Sequence, residues 1–227
     1  MRLTPLVLAA TLATPGLASQ TCTDDAMIVF DGSGSMSEMG FNDLDEPRIF
    51  EAREALRTAL PQIAQSRKLG LVTYGPGGDD LCTGITLHFP PRADAAGAII
   101  ATTDALTPEG STALTAAVAL AAQALAHETR PATIVLVTDG KETCGGTPCQ
   151  LAAELEATGI DTTVHVIGFK VRGDYFSWQS QGAAEYREAD APARCLADTT
   201  GGKYVRAETL DELIGALRVT LGCTILF

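Results

Sequence analysis

The stretch Ala132 to Thr138 (ATIVLVT) carries Ile134, Val135, Leu136 and Val137 in unbroken succession, with no polar alternation. A strand with one wet face alternates apolar and polar residues. One without alternation is buried on both faces, which in practice means a parallel sheet covered by helices on each side. Thr162 to Phe169 is a second strand of this kind, and Ala26 to Phe30 and Leu69 to Tyr74 add two more. Between them the apolar period lengthens to that of a helix. From about Arg48 onward Ile49, Ala52, Leu56, Ala59 and Ile63 share one face, and Leu114, Val118, Ala121 and Leu125 share another. Further helices are expected over about 93–106 and 149–158, and Leu210, Leu213, Ile214, Leu217 and Leu221 stripe a terminal one.

Gly75, Pro76, Gly77 and Gly78 form a turn after which Ile85 to Phe89 can return as an antiparallel edge strand. Gly201 and Gly202 end a short helix before a last edge strand at Lys203 to Val205. The fold class is therefore α/β: a doubly wound, mostly parallel six-stranded sheet with one antiparallel edge strand and helices on both faces. At 227 residues and 46% hydrophobic the chain suits one such domain.

Residues 3 to 18 are apolar after Arg2, with Gly16 and Ala18 at the minus-three and minus-one positions of a cleavage site. Residues 1–18 thus read as a signal peptide and 19–227 as the exported domain. Pro5 and Pro15 speak against a membrane-spanning helix there, and no later segment reaches the roughly 20 apolar residues a span requires. The formal charge of −12 becomes −13 once Arg2 is removed. That charge disfavours nucleic acid and anionic membrane surfaces as partners, since both would be repelled. Cys22, Cys82, Cys144, Cys149, Cys195 and Cys223 all follow the cleavage site, and an even number in an exported chain points to disulfides. Fifteen connectivities are open for three bonds. Zinc is the competing reading of Cys144 and Cys149, although no second pair completes a tetrahedral set.

The chemistry concentrates at strand ends. Asp31, Ser33 and Ser35 directly follow the first strand, with Gly32 and Gly34 permitting the tight turn that aims three side-chain oxygens at one point. Asp139 follows the buried strand Ala132 to Thr138, and Thr112 lies in the loop Gly110-Ser111-Thr112 before a helix. Open α/β sheets place ligands in the crevice beyond such carboxyl ends. Five oxygens with no sulfur or imidazole suit Mg2+ first, and Mn2+ or Ca2+ after it. The simplest alternative has the serines capping a helix and Asp139 closing a turn. An aspartyl phosphatase is disfavoured because Ser33 stands where its second carboxylate would, and a serine hydrolase because His88, His127 and His165 fall in an edge strand, a helix and a buried strand.

DGSGS after a strand, then GST, then VTDG resembles the metal-ion-dependent adhesion site of von Willebrand factor type A domains. DEPRIFEAREAL and CLADTTGGKYV are similar to bacterial secreted members. The resemblance covers about residues 24–222. It implies a Rossmann-like sheet in which Ser33, Ser35 and Thr112 touch the metal, Asp31 and Asp139 act directly or through water, and a protein partner's Asp or Glu completes the site. It also implies adjacent chain ends, hence a Cys22–Cys223 bond. Cys144 and Cys149 are then expected to pair locally, leaving Cys82 with Cys195. The implied function is a non-enzymatic adhesion or assembly module; a metal-assisted hydrolase and a purely structural metal are the rivals. Residues 170–194, with Tyr175, Phe176 and Trp178, form an insertion suited either to reading a partner or to packing as a loop on its own helix. Arg172-Gly173-Asp174 is read as a chance match to an integrin-recognition tripeptide. Glu38, Asp43, Asp45 and Glu46 are read as a solvated acidic loop rather than a second calcium site.

Overall fold

A computed structural model describes residues 25–39, 46–171 and 193–223. The strands run in the order β3-β2-β1-β4-β5-β6, comprising β1 (Asp25–Asp31), β2 (Leu69–Tyr74), β3 (Ile85–Arg92), β4 (Ala132–Thr138), β5 (Thr162–Phe169) and β6 (Tyr204–Ala207). All neighbours are parallel except β2 and β3. The helices are α1 (Arg48–Ile63), α2 (Ala96–Ala105), α3 (Leu114–Leu125), α4 (Pro148–Thr158), α5 (described over 193–199) and α6 (Leu210–Leu221).

Strand alternation divides the core into two layers. Ala26, Ile28 and Phe30 of β1 face one side, where they pack with Leu56 and Leu60 of α1, Ile99 of α2 and Leu217 of α6. Met27 and Val29 face the other, against Val118 of α3, Leu155 of α4 and Leu196 of α5. Both layers are apolar throughout, which accounts for the unbroken hydrophobic runs of β1 and β4. The edge strand β3 reaches Arg92, past the expected Phe89, and includes Pro90 and Pro91. Prolines are compatible with an edge strand, which has no ladder hydrogen bond to lose on its outer side. No described helix is long and apolar enough to cross a membrane.

The cysteine pairing differs from expectation. Cys82 bonds Cys144 and Cys149 bonds Cys195, with Cα separations of 5.5 and 5.3 Å. The local Cys144–Cys149 and residual Cys82–Cys195 pairings are therefore both wrong. Cys144 sits in the loop after β4, beside the β2–β3 loop that carries Cys82. Cys149 has already entered the first turn of α4, which shares a core layer with α5 and Cys195. Proximity in sequence lost to the helix boundary at Pro148. Cys223 is also disulfide-bonded. Cys22, residues 1–18 expected as a signal peptide, the loop bearing Asp43 and Asp45, and most of the insertion including Arg172, Gly173, Asp174 and Trp178 lie outside the described residues.

Peptide mapping of the non-reduced protein is expected to yield Cys82–Cys144 and Cys149–Cys195 fragments and no Cys144–Cys149 fragment. Replacing Cys149 and Cys195 by Ala should lower unfolding free energy by about 2–4 kcal/mol, read by denaturant titration.

Candidate functional site

β1 and β4 lie side by side at the point where the strand order reverses, so the loops leaving their carboxyl ends diverge around a crevice. Asp31 closes β1 and is fully buried. Its Oδ1 accepts a bond from the Ser33 backbone N at 2.8 Å. Its Oδ2 lies 2.7 Å from both the Tyr74 hydroxyl and Thr138 Oγ1. The carboxylate is thus pinned in orientation by the ends of β2 and β4. Ser33 Oγ lies 3.1 Å from Ser35 Oγ, which donates to Asp139 Oδ1 at 2.7 Å. The other Asp139 oxygen accepts from Arg48 Nη1 at 2.9 Å. Four of the five expected residues are joined in this way.

Thr112 reaches the same place through its loop. Gly34 N donates to Gly110 O at 3.0 Å, and Glu109 N to Gly32 O at 3.0 Å, so this loop lies along the Asp31–Ser35 turn. On its other side Thr112 N donates to Thr143 Oγ1 at 2.8 Å, and Thr143 N returns a bond to Thr112 O at 3.0 Å. Thr112 Oγ1 faces Gly140, 3.9 Å from where a Cβ there would stand. The approach of the loops depends on glycine. Gly75 has φ +109°, and a Cβ on it would fall 2.5 Å from Ser33 N. A Cβ on Gly110, at φ +75°, would fall 2.2 Å from Gly75 O. Both conformation and space exclude a side chain.

Burial and the neighbouring Asp31 charge push the Asp139 carboxyl up to about 6, while Ser35 and Arg48 pull it partly back. Burial, reinforced by Asp31, likewise raises the Tyr74 phenol, which therefore remains a neutral donor. Two buried carboxylates facing one guanidinium and three hydroxyls make a hard-oxygen set whose repulsion a divalent cation would relieve, so the residues fit Mg2+, Mn2+ or Ca2+. The thiolates that a Cys144–Cys149 zinc site would need are consumed in disulfides. The histidines bond elsewhere. His88 Nε2 lies 2.9 Å from Thr73 Oγ1, His127 Nδ1 lies 3.3 Å from Thr162 Oγ1, and His165 Nδ1 accepts from Lys203 N. His127 sits just past α3 rather than within it.

Sequence reasoning missed Arg48, Tyr74, Thr138 and Thr143 as parts of the site. Arg48 carried a usable signal, because it falls on the same buried stripe of α1 as Ala52 and Ala59. A charge in that register requires a buried partner.

A doubly wound sheet with oxygen-bearing loops at its switch point defines an α/β ligand-binding domain. Residues 26–142 match the von Willebrand factor type A domain, and the chain belongs to that family. The uncharacterized protein YwmD of Bacillus subtilis (strain 168) is 28% identical over 218 residues, covering 91% of this chain and 89% of YwmD. Among solved structures, the PilB minor pilin of Streptococcus sanguinis superposes with a TM-score of 0.61 at 17% identity, covering 92% of this chain and 63% of that one. Proximal thread matrix protein 1 of the mussel byssus, with a zinc-occupied metal-ion-dependent adhesion site, gives 0.57 at 16% identity over 89% of this chain. This chain spans about half of that mussel protein, 48%.

The raised Asp139 carboxyl gives a pH signature. In chelator its protonated form favours the folded state below about pH 4, the unfolded range, and that contribution is lost as pH rises through about 6. Asp139→Asn has no such proton to lose. Its stability relative to wild type should therefore grow by about 2 kcal/mol between pH 4 and pH 7. Paired thermal melts across that range test this; saturating Mg2+ at pH 7 should reverse the ranking by stabilising only the wild type.

Proposed function

We propose that this chain is a divalent-cation-dependent protein-binding module acting outside the cytoplasm, in adhesion or assembly, with Mg2+ as the resident ion and Mn2+ or Ca2+ able to replace it. Ser33, Ser35 and Thr112 would hold the ion with Asp31 and Asp139. An Asp or Glu of the partner would complete its coordination. Bound there, the ion supplies Lewis-acid attraction for that carboxylate.

The observation that carries this reading is that two buried carboxylates from adjacent strand ends meet one serine turn, Asp31 accepting from the Ser33 backbone N–H and Asp139 from the Ser35 hydroxyl, which pairs with that of Ser33. Neutral hydroxyls leave most of a divalent charge uncompensated, so an outside carboxylate gains more than it would at an all-carboxylate cage. The zinc-occupied site of the mussel protein and the pilus origin of the streptococcal one lend support by analogy. Two disulfides fit an extracytoplasmic setting. A hydrolase reading gains nothing from the histidines, whose partners lie away from Ser33 and Ser35.

Capture of a partner by the immobilised protein in Mg2+ should be lost in chelator and in Asp31→Ala. Capture by Asp31→Ala equal to wild type would refute the proposal, as would metal-dependent turnover of an ester or phosphate.

A further inference from the structure

The charge on α1 that touches the site is not accounted for by ion holding alone. Arg48 is 7% exposed. Its Nη1 lies 2.9 Å from Asp139 Oδ2, 3.3 Å from Ser35 O and 3.5 Å from Glu38 Oε2. Among the described residues its Nε has no hydrogen-bond partner. A buried guanidinium with an unsatisfied nitrogen is costly to maintain. The other buried acid on this helix, Glu51, does not offset it, being ion-paired with Lys170. Glu38 is 67% exposed at its side chain, so water screens its share. The positive charge of Arg48 is therefore directed mainly at Asp139, one of the two carboxylates in the cage.

We propose that Arg48 is a tuning residue that offsets one carboxylate of the cage, weakening the hold on the cation and strengthening the loaded site's pull on an acidic partner. The proposal rests on the metal-binding reading above. Without Arg48, Asp31 and Asp139 would cancel the two charges of the ion. With it, the filled site keeps about one net positive charge, and a single carboxylate is the natural complement. Metal affinity and carboxylate affinity are thus set in opposition by one side chain.

Mn2+ alone and acetate are the probes. Mn2+ affinity is read by calorimetry, and acetate binding to the Mn2+-loaded protein by water-proton relaxation. Arg48→Gln should bind Mn2+ on the order of tenfold more tightly and acetate on the order of tenfold more weakly than wild type. Arg48→Lys, which keeps the charge, should stay near wild type in both. Arg48→Met, which removes the charge but keeps an apolar stem in the buried position, should shift both affinities as Arg48→Gln does and decides the matter if Arg48→Gln does not fold. Weaker or equal Mn2+ binding by Arg48→Gln, or Arg48→Lys behaving like Gln, overturns the proposal while leaving the metal site intact. A wild type that binds Mn2+ no better than Asp31→Ala overturns the metal reading itself, and this inference with it.

Discussion

Placing Asp31 and Asp139 beyond the ends of adjacent buried strands is the constraint around which the rest of the site is built. Two carboxylates this far from water are costly to hold charged: burial first, and repulsion from Asp31 second, push the Asp139 carboxyl up to about 6. The surrounding groups divide the task of holding them. Tyr74, Thr138 and the Ser33 amide satisfy Asp31 with neutral donors, while Arg48 and Ser35 hold Asp139. One carboxylate is oriented by dipoles and the other by a full charge, so the two are not equivalent.

The loops that carry these groups are unusually tied for segments at a sheet edge. Gly75 and Gly110 let three backbones meet without side chains between them, and Ser111 N donates to Leu81 O at 2.7 Å. Thr112 is thereby caught between the β2–β3 loop and the loop after β4, and the Cys82–Cys144 bond joins those two loops. Glu142 adds a further tie, accepting from Thr115 N at the start of α3 and from Cys144 N. A ligand-bearing loop closed into such a ring loses little conformational freedom when it binds, which favours affinity through preorganisation rather than through added contacts.

How much of this was legible in the chain follows from whether each signal is local. β2, β4 and β5 have the bounds expected, and β2 and β4 are buried at every position, as strands covered on both faces are. Asp31, Ser33, Ser35 and Asp139 stand out as candidates in the sequence for a similarly local reason, each lying next to glycine at a strand end, and Thr112 because it lies in the Gly110–Thr112 loop before a helix. Tyr74 and Thr138 were not, since a hydroxyl inside a hydrophobic strand reads as core until its partner across the sheet is known. The disulfides failed for the same cause. Cys144 and Cys149 are neighbours in sequence, but the start of α4 between them sends one toward β2 and the other toward α5, and only the fold carries that information.

For a chain of formal charge −12, the proposed binding of an acidic partner would have to reconcile two opposing fields. Beyond a Debye length, about 8 Å at physiological salt, the global charge is largely screened, so it governs encounter only weakly. Inside the crevice screening fails, and with the proposed ion bound the balance there would be local: two carboxylates, one guanidinium and a divalent ion. Had Arg48 been neutral, the filled cage would carry no surplus to offset the acidic surface around it. With both Arg48 and the proposed ion in place, the crevice would be a positive point on a negative molecule. Such an arrangement rejects acidic surfaces in general while admitting a carboxylate that projects far enough to reach the ion, which makes reach and shape, rather than charge alone, the basis of selection.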